Sequence, residues 1–193
     1  MGLSCFFVRL SGCNLRCSYC DTTHAYPRGR KTSIRSLVRR FSASSATIAE
    51  ITGGEPLSQS GFAELATRMR DGGGGRPVLV ETNGSRNIAL VPEGVIAIMD
   101  VKCPGSGEAA AMDLENLKRL RSQDEVKFVV ADRKDFEWAC RVVRKYRVVA
   151  QCHAVLFSPV EGRLTPATLA KWVLDSGLPI RVQLQLHKVI HVK

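Results

Sequence analysis

Three of the seven cysteines lie in one short stretch, at Cys13, Cys17 and Cys20. Thiolates spaced four and three residues apart, in a loop that carries Gly12, can converge on one metal centre. Structural zinc prefers four closed ligands, and no fourth cysteine or histidine stands at a partner spacing, although His24 is near. The spacing therefore favours an iron–sulfur cluster with one iron open to a small molecule. Zinc, a redox pair of Cys17 and Cys20, and unligated thiols remain alternatives.

A second motif, Gly53-Gly54-Glu55-Pro56, directly follows an apolar run. Two glycines at a strand end let the backbone approach a ligand closely, and a glutamate can accept hydrogen bonds from an ammonium group. A simple tight turn would use the same residues. The motif alone therefore does not separate a binding loop from a turn.

Polar side chains also follow the next two apolar runs. The segment Glu81-Thr82-Asn83-Gly84-Ser85 suits ribose hydroxyls, or equally a turn. Asp100 and Lys102 flank the apolar Val101, so both side chains could point the same way. Together with the first two loops, these segments favour a shared binding site that none of them indicates alone.

Apolar runs of strand length alternate with segments of helical periodicity. The predicted strands are Cys5–Leu10, Thr47–Thr52, Val78–Thr82, Val95–Val101, Val126–Ala131, Val148–Phe157 and Ile180–Leu186. The predicted helices are Ser33–Phe41, Phe62–Met69, Met112–Leu120, Phe136–Val143 and Thr165–Leu174. This alternation predicts an α/β fold with mainly parallel strands, built as an open or partial (β/α) barrel. Ligands in such folds bind at the carboxyl ends of the strands, where the polar loops lie.

Length and composition indicate one globular domain. The chain has 193 residues, of which 45% are hydrophobic and 24% charged. It contains no apolar run near the ~20 residues of a membrane span. The odd number of cysteines argues against a disulfide framework, and the first residues lack the basic stretch and cleavage site of a signal peptide. We therefore expect a cytoplasmic protein without membrane contact.

The net charge of +10 suggests an anionic partner. The densest basic stretch, residues 28–40, has no interleaved aromatic side chains of the kind that single-strand nucleic-acid binders use. We interpret it as a solvated loop and helix face, and we expect no nucleic-acid partner.

The two motifs in combination resemble the radical S-adenosylmethionine superfamily. Within it, the chain is similar to the family of 7-carboxy-7-deazaguanine synthases. The stretches that carry this resemblance span almost the whole chain: Phe7–Cys17, Cys20-Asp21-Thr22, Thr52–Pro56, Glu81–Gly84 and Gln185-Leu186-His187-Lys188.

The resemblance implies a lyase that uses a [4Fe–4S] cluster held by Cys13, Cys17 and Cys20. S-adenosylmethionine would bind the fourth iron, and its reductive cleavage would release a 5′-deoxyadenosyl radical. The radical would abstract hydrogen from C6 of 6-carboxy-5,6,7,8-tetrahydropterin. Ring contraction and loss of ammonia would then give 7-carboxy-7-deazaguanine, an intermediate of queuosine and deazapurine biosynthesis. The family also implies Mg²⁺, an electron donor such as flavodoxin or ferredoxin, and a homodimer.

The resemblance further implies roles for individual residues. Those expected to contact S-adenosylmethionine are Tyr19, Cys20, Asp21, Gly54, Glu55, Asp100, Val101 and Lys102. Thr22 would ligate Mg²⁺, a hard cation that prefers oxygen. The residues expected to contact the pterin are Arg9, Thr52, Gln185, His187 and Lys193. Arg9 would bind the pterin carboxylate through two hydrogen bonds, and Lys193 would contribute its terminal carboxylate.

Two alternatives remain, the first a radical S-adenosylmethionine enzyme and the second a protein of another class. An activating enzyme that forms a glycyl radical on a partner protein would share the cysteine spacing, but the Asp21-Thr22 pair and the Gln185–Lys188 ending favour a small-molecule pocket. The other is a non-catalytic metal- or nucleic-acid-binding module. Family members usually begin with a strand and a Gln-Gly-Glu loop that contacts substrate. We expect a single domain over residues 1–193 that lacks this segment.

Overall fold

The computed structural model describes residues 2–27 and 29–186. Within these residues, seven parallel strands form one sheet in chain order. They are β1 (Cys5–Leu10), β2 (Ile48–Gly53), β3 (Val78–Thr82), β4 (Ile96–Asp100), β5 (Glu125–Val130), β6 (Ala154–Pro159) and β7 (Arg181–Val182). In the described part of the chain β1 and β7 are the two edges, which confirms the open α/β barrel.

Four α-helices pack against one face of the sheet: α1 (Ile34–Ser42), α2 (Phe62–Gly72), α3 (Arg133–Lys145) and α4 (Pro166–Ser176). Ser33 and Thr165 cap α1 and α4 by accepting a backbone N–H with the side-chain oxygen. Alternate strand residues such as Ile51 and Val80 are buried under these helices. The intervening residues point to the opposite face, which we call the lumen. No helix among the described residues has the length and apolar character needed to cross a bilayer.

Three predicted elements differ from the structure. Met112–Leu120 was expected to be an α-helix but contains only a 3₁₀ turn, Leu114–Lys118. The physical reason is Asn116, whose fully buried side chain turns inward and bonds the backbone of the loop after β3 at Gly84, Arg86 and Ile88. The strand predicted for Val148–Phe157 begins only at Ala154, and that predicted for Ile180–Leu186 is limited to Arg181–Val182.

The loops after β1 and β2 are joined through their backbones. Gly54 N–H donates to Leu10 O at 3.0 Å, and Glu55 N–H donates to Gly12 O at 2.8 Å. A Cβ atom on Gly54 would overlap the carbonyl group of Gly12 and would lie 2.9 Å from Cys13 N. The glycine is therefore required because another loop occupies the space of a side chain.

Gly54→Ala should destabilise the fold, because the added methyl group would displace the backbone beside Cys13. Overpacking of this kind costs about 1–3 kcal/mol of unfolding free energy. Gly61→Ala is the matched control, since a Cβ atom there would meet only Ile34 Cδ1 at 3.9 Å. Urea unfolding of the metal-free protein measures both variants. Equal stability of the two variants would contradict the interlocked loops.

Candidate active site

The loop after β1 holds all three clustered cysteines at the carboxyl end of the sheet. Gly12 N–H donates to Ala25 O at 2.7 Å, which closes the loop at its base. Leu15 anchors the middle of the loop in the interior. Ser18 N–H donates to Ser106 O at 2.9 Å, which ties the far end to the segment after β4. The sequence between the cysteines is thus held at three points.

The three thiols have different polar surroundings. Cys13 Sγ accepts hydrogen bonds from Leu15 N at 3.5 Å and from Asn83 Nδ2 at 3.7 Å. Burial raises the pKa of Cys17, and the nearby Lys102 ammonium lowers it in part. Burial, the contact with Cys20 and the charges of Cys13 and Cys17 raise the pKa of Tyr26. All three cysteines therefore lie near Tyr26.

Glu55 is a fully buried carboxylate at the centre of the strand-end loops. Its Oε1 accepts from Leu57 N at 2.9 Å and from Thr82 Oγ1 at 2.7 Å. Its Oε2 accepts from Asn83 N at 2.7 Å. Burial raises the pKa of Glu55, and these donors lower it in part, so the charge is stabilised by the loops that it joins.

A row of paired charges crosses the lumen below these loops. Lys127 Nζ pairs with Glu81 Oε1, and Thr52 Oγ1 donates to Glu81 Oε2 at 3.3 Å. Lys102 Nζ lies 2.6 Å from Asp100 Oδ2. Lys127 lowers the pKa of Glu81. Burial by itself would lower the pKa of Lys102 and of Lys127. The neighbouring carboxylates outweigh this effect, so the pKa of each lysine is raised. Glu81, Lys102 and Lys127 therefore stay charged near neutral pH.

Arg9 and Glu50 lie at the β1 edge of this row. The Arg9 guanidinium stacks 4.9 Å from the centre of the Phe7 ring, and Phe7 is the register neighbour of Glu50. Arg9 has no ion pair within 4.0 Å among residues 2–27 and 29–186. Burial and the adjacent Glu81 carboxylate raise the pKa of Glu50 to about 7. An exposed guanidinium at the lumen mouth can bind a substrate anion.

A cavity of about 320 Å³ opens beside the cysteine loop. It lies between that loop and the ends of β5 and β6, and its lining residues are Tyr19, Cys20, Asp21, Val129, Pro159, Val160, Glu161, Arg163 and Gln185. Within it, Gln185 Nε2 donates to Asp21 Oδ2 at 2.9 Å. Tyr19, Cys20 and Asp21 of the cysteine loop therefore share one cavity with Gln185, a predicted site residue near the other end of the chain.

Comparison with known proteins shows two levels of similarity. Residues 7–150 match the model of the radical SAM superfamily. The 7-carboxy-7-deazaguanine synthase of Koribacter versatilis is 42% identical over 98% of this chain and 89% of its own length. The synthases of Chlorobaculum tepidum and Methanospirillum hungatei are 40% and 38% identical, each over 98% of this chain and over 86% and 78% of their own lengths.

The chain belongs to the 7-carboxy-7-deazaguanine synthase family. The fold has a solved counterpart in SuiB of Streptococcus suis, crystallised with S-adenosylmethionine, at a TM-score of 0.70. That likeness covers 95% of this chain at 10% identity, and this chain spans 50% of the SuiB length, so it supports the fold alone.

The residues present fit the iron–sulfur cluster and S-adenosylmethionine of this family. The three thiols lie on one loop, and in a four-iron cluster each cysteine ligates a different iron. The buried Oδ1 of Asp100 has no hydrogen-bond partner in the described part of the chain, which suits a group that accepts from a bound ligand. Among the described residues no three Cys, His, Asp or Glu side chains are grouped to hold a single metal ion.

The structure brings most of the predicted site residues together, and their ligand contacts stay predictions. Several side chains already have protein partners: Tyr19 Oη donates to Val129 O at 3.1 Å, Thr22 Oγ1 donates to Asp21 Oδ1 at 2.8 Å, and Val101 is buried. His187 and Lys193 lie outside the described residues.

Sequence reasoning gave no individual role to four polar residues of the site: Glu50, Glu81, Asn83 and Lys127. Three of them interrupt apolar strands at positions that point to the lumen. The alternation of side chains between the two faces of a strand could have indicated these lumen positions from the sequence. Glu81 and Asn83 belong to the segment whose sequence suits ribose hydroxyls or a turn, whereas Glu50 and Lys127 were missed altogether.

In the wild type, the free energy of unfolding should decrease as the pH rises from about 4.5 to 7, and Glu50→Gln should make this decrease smaller. In the folded protein the pKa of Glu50 is about 7, above the ordinary 4.5, so the fold holds a proton that the unfolded chain releases first. The contribution of protonated Glu50 to the free energy of unfolding is therefore complete below pH 4.5 and is lost as the pH rises through 7. Urea midpoints of the metal-free protein at several pH values test this. Glu64→Gln, on an exposed helix pair, is the control and should keep the wild-type slope. An unchanged slope in Glu50→Gln would contradict the assignment.

Proposed function

We propose that this protein converts 6-carboxy-5,6,7,8-tetrahydropterin to 7-carboxy-7-deazaguanine and ammonia, as a radical SAM lyase. The observation that carries the proposal is the 42% identity, over 98% of this chain, to a protein with that synthase name. The reaction is redox-neutral overall, because the nitrogen that is lost leaves as ammonia. No described feature favours the activating enzyme or the non-catalytic module.

The cluster, when bound, supplies the electron that cleaves S-adenosylmethionine to start the reaction. Cys13, Cys17 and Cys20 hold it through their thiolates. Asp100 Oδ1 accepts a hydrogen bond from S-adenosylmethionine, and the 2.6 Å pair with Lys102 fixes the orientation of the Asp100 carboxylate.

The lumen residues bind and orient the pterin. Arg9 pairs with its carboxylate at the open edge of the sheet, and Thr52 and Gln185 contact its ring. Each of these groups lies at or near the carboxyl end of its strand, which keeps the substrate beside the cysteine loop. The apolar strands and helices around the lumen exclude water from the reacting atoms.

Further components belong to the same proposal. Thr22 ligates a Mg²⁺ ion together with substrate oxygens. The net charge of +10 and the exposed Arg16, within the cysteine loop, suit an acidic electron donor such as flavodoxin or ferredoxin. Cysteines that must stay reduced favour the cytoplasm. The homodimer rests on the family resemblance alone.

The direct test is an anaerobic turnover assay of the reconstituted protein. It contains reductant, S-adenosylmethionine, Mg²⁺ and 6-carboxytetrahydropterin, and mass spectrometry detects the product. We expect 7-carboxy-7-deazaguanine and an equal amount of ammonia. A protein with a full cluster that cleaves S-adenosylmethionine but forms no 7-carboxy-7-deazaguanine would contradict the substrate assignment.

Arg9→Ala should lower kcat/KM for the pterin about a hundredfold or more, because the pterin carboxylate would lose its charged partner. Reductive cleavage of S-adenosylmethionine without pterin, measured as 5′-deoxyadenosine, should stay near the wild-type rate. Arg35→Ala, on the exposed face of α1, is the matched control and should leave both rates unchanged. Unimpaired product formation in Arg9→Ala would exclude the proposed clamp.

A further inference from the structure

Asn83 is a buried amide whose side chain reaches the cysteine loop from the end of β3. It is 7% exposed, and its Nδ2 lies 3.7 Å from Cys13 Sγ and 3.1 Å from Asn14 Oδ1. Its Oδ1 accepts from Ser85 N at 3.0 Å and from Ser85 Oγ at 2.7 Å. The amide is thus engaged on both sides.

This network allows only one orientation of the amide. Both hydrogens of Nδ2 have an acceptor, and both lone pairs of Oδ1 have a donor. A flipped amide would place its oxygen against Cys13 Sγ and Asn14 Oδ1, and would leave the two Ser85 donors facing an NH₂ group. Asn14 Nδ2 also donates to Ser85 Oγ at 2.8 Å, which closes the network. The N–H group is therefore held against the sulfur.

The position of Asn83 is fixed by the backbone as well. Its N–H donates to the buried Glu55 carboxylate at 2.7 Å, so its Cα does not depend on the side-chain contacts. Substitution of the side chain therefore removes the donor to Cys13 and leaves the main-chain link to Glu55 in place.

We propose that Asn83 is a positioning residue that raises the reduction potential of the cluster by donating an N–H···S hydrogen bond to Cys13. Reduction adds negative charge to the cluster and its thiolates, so a donor at the sulfur stabilises the reduced state more than the oxidised one. The low exposure of Asn83 strengthens this effect, because a hydrogen bond from a buried amide is electrostatically stronger than one in water. Such outer hydrogen bonds tune metal sites without touching the metal.

This inference rests on cluster binding, one part of the proposed function, and not on the pterin reaction. A protein that takes up the cluster but forms no deazaguanine product tests it equally well. The readouts are iron and sulfide content and the midpoint potential, obtained by redox titration monitored by electron paramagnetic resonance.

In this titration Asn83→Ala should shift the midpoint potential to a more negative value at full iron content. Asn83→Asp should shift it further, because it replaces the donor with a carboxylate beside the sulfur. Ser85→Ala is the matched control. It removes the hydroxyl group, but the backbone N–H of residue 85 still donates to Asn83 Oδ1. The midpoint potential of this variant should therefore equal that of the wild type. Equal potentials in all four proteins would overturn the proposal.

A second measurement uses the unaltered chain, in case the variants bind less iron. Pulsed electron paramagnetic resonance of the reduced cluster, in protein labelled with ¹⁵N in asparagine side chains, should show a ¹⁵N coupling. The labelled Ser85→Ala variant should keep this coupling. Its absence from fully loaded wild-type protein would overturn the proposal independently of any variant.

Discussion

The site depends on the contact between two loop backbones, where Gly54 packs directly on Gly12 at the base of the cysteine loop. Because a side chain would not fit there, the loops after β1 and β2 are packed together as one unit. Glu55, the next residue, extends this unit to the loop after β3 through its buried carboxylate. The thiols are therefore placed by backbone geometry and one buried charge.

The lumen shows how a parallel barrel can bury charge next to this unit. Glu81, Asp100, Lys102 and Lys127 are paired with one another, so none is left as an isolated buried ion. These pairs use the strand positions that point away from the helices, whereas the alternate positions form the apolar core. The same alternation thus supplies both the stability of the fold and the polar surface that a heterocyclic substrate needs.

Much of the fold could be predicted, because apolar periodicity and capping residues act locally. Ser33 and Thr165 begin their helices as expected, and the Cys5–Leu10 strand agrees in both bounds. The prediction of an α-helix over Met112–Leu120 was wrong because Asn116 forms long-range hydrogen bonds that local periodicity does not encode.

The candidate site was predictable where motifs lie at strand ends and less so inside strands. Motif spacing placed Cys13, Cys17 and Cys20 correctly on one loop. It could not reveal that Gly54 makes room for a neighbouring loop, since that contact joins residues distant in sequence. Glu50 and Lys127 were overlooked because their strands were treated as uniformly apolar.

We propose that Cys13, Cys17 and Cys20 hold a cluster with one iron open to S-adenosylmethionine. The most direct measurement is electron–nuclear double resonance of the reduced, reconstituted protein with S-adenosylmethionine labelled with ¹⁵N at its amino group. This ligand assignment predicts four irons per chain and a ¹⁵N coupling to the cluster. Stoichiometric zinc without iron, or a full cluster that shows no coupling, would contradict it.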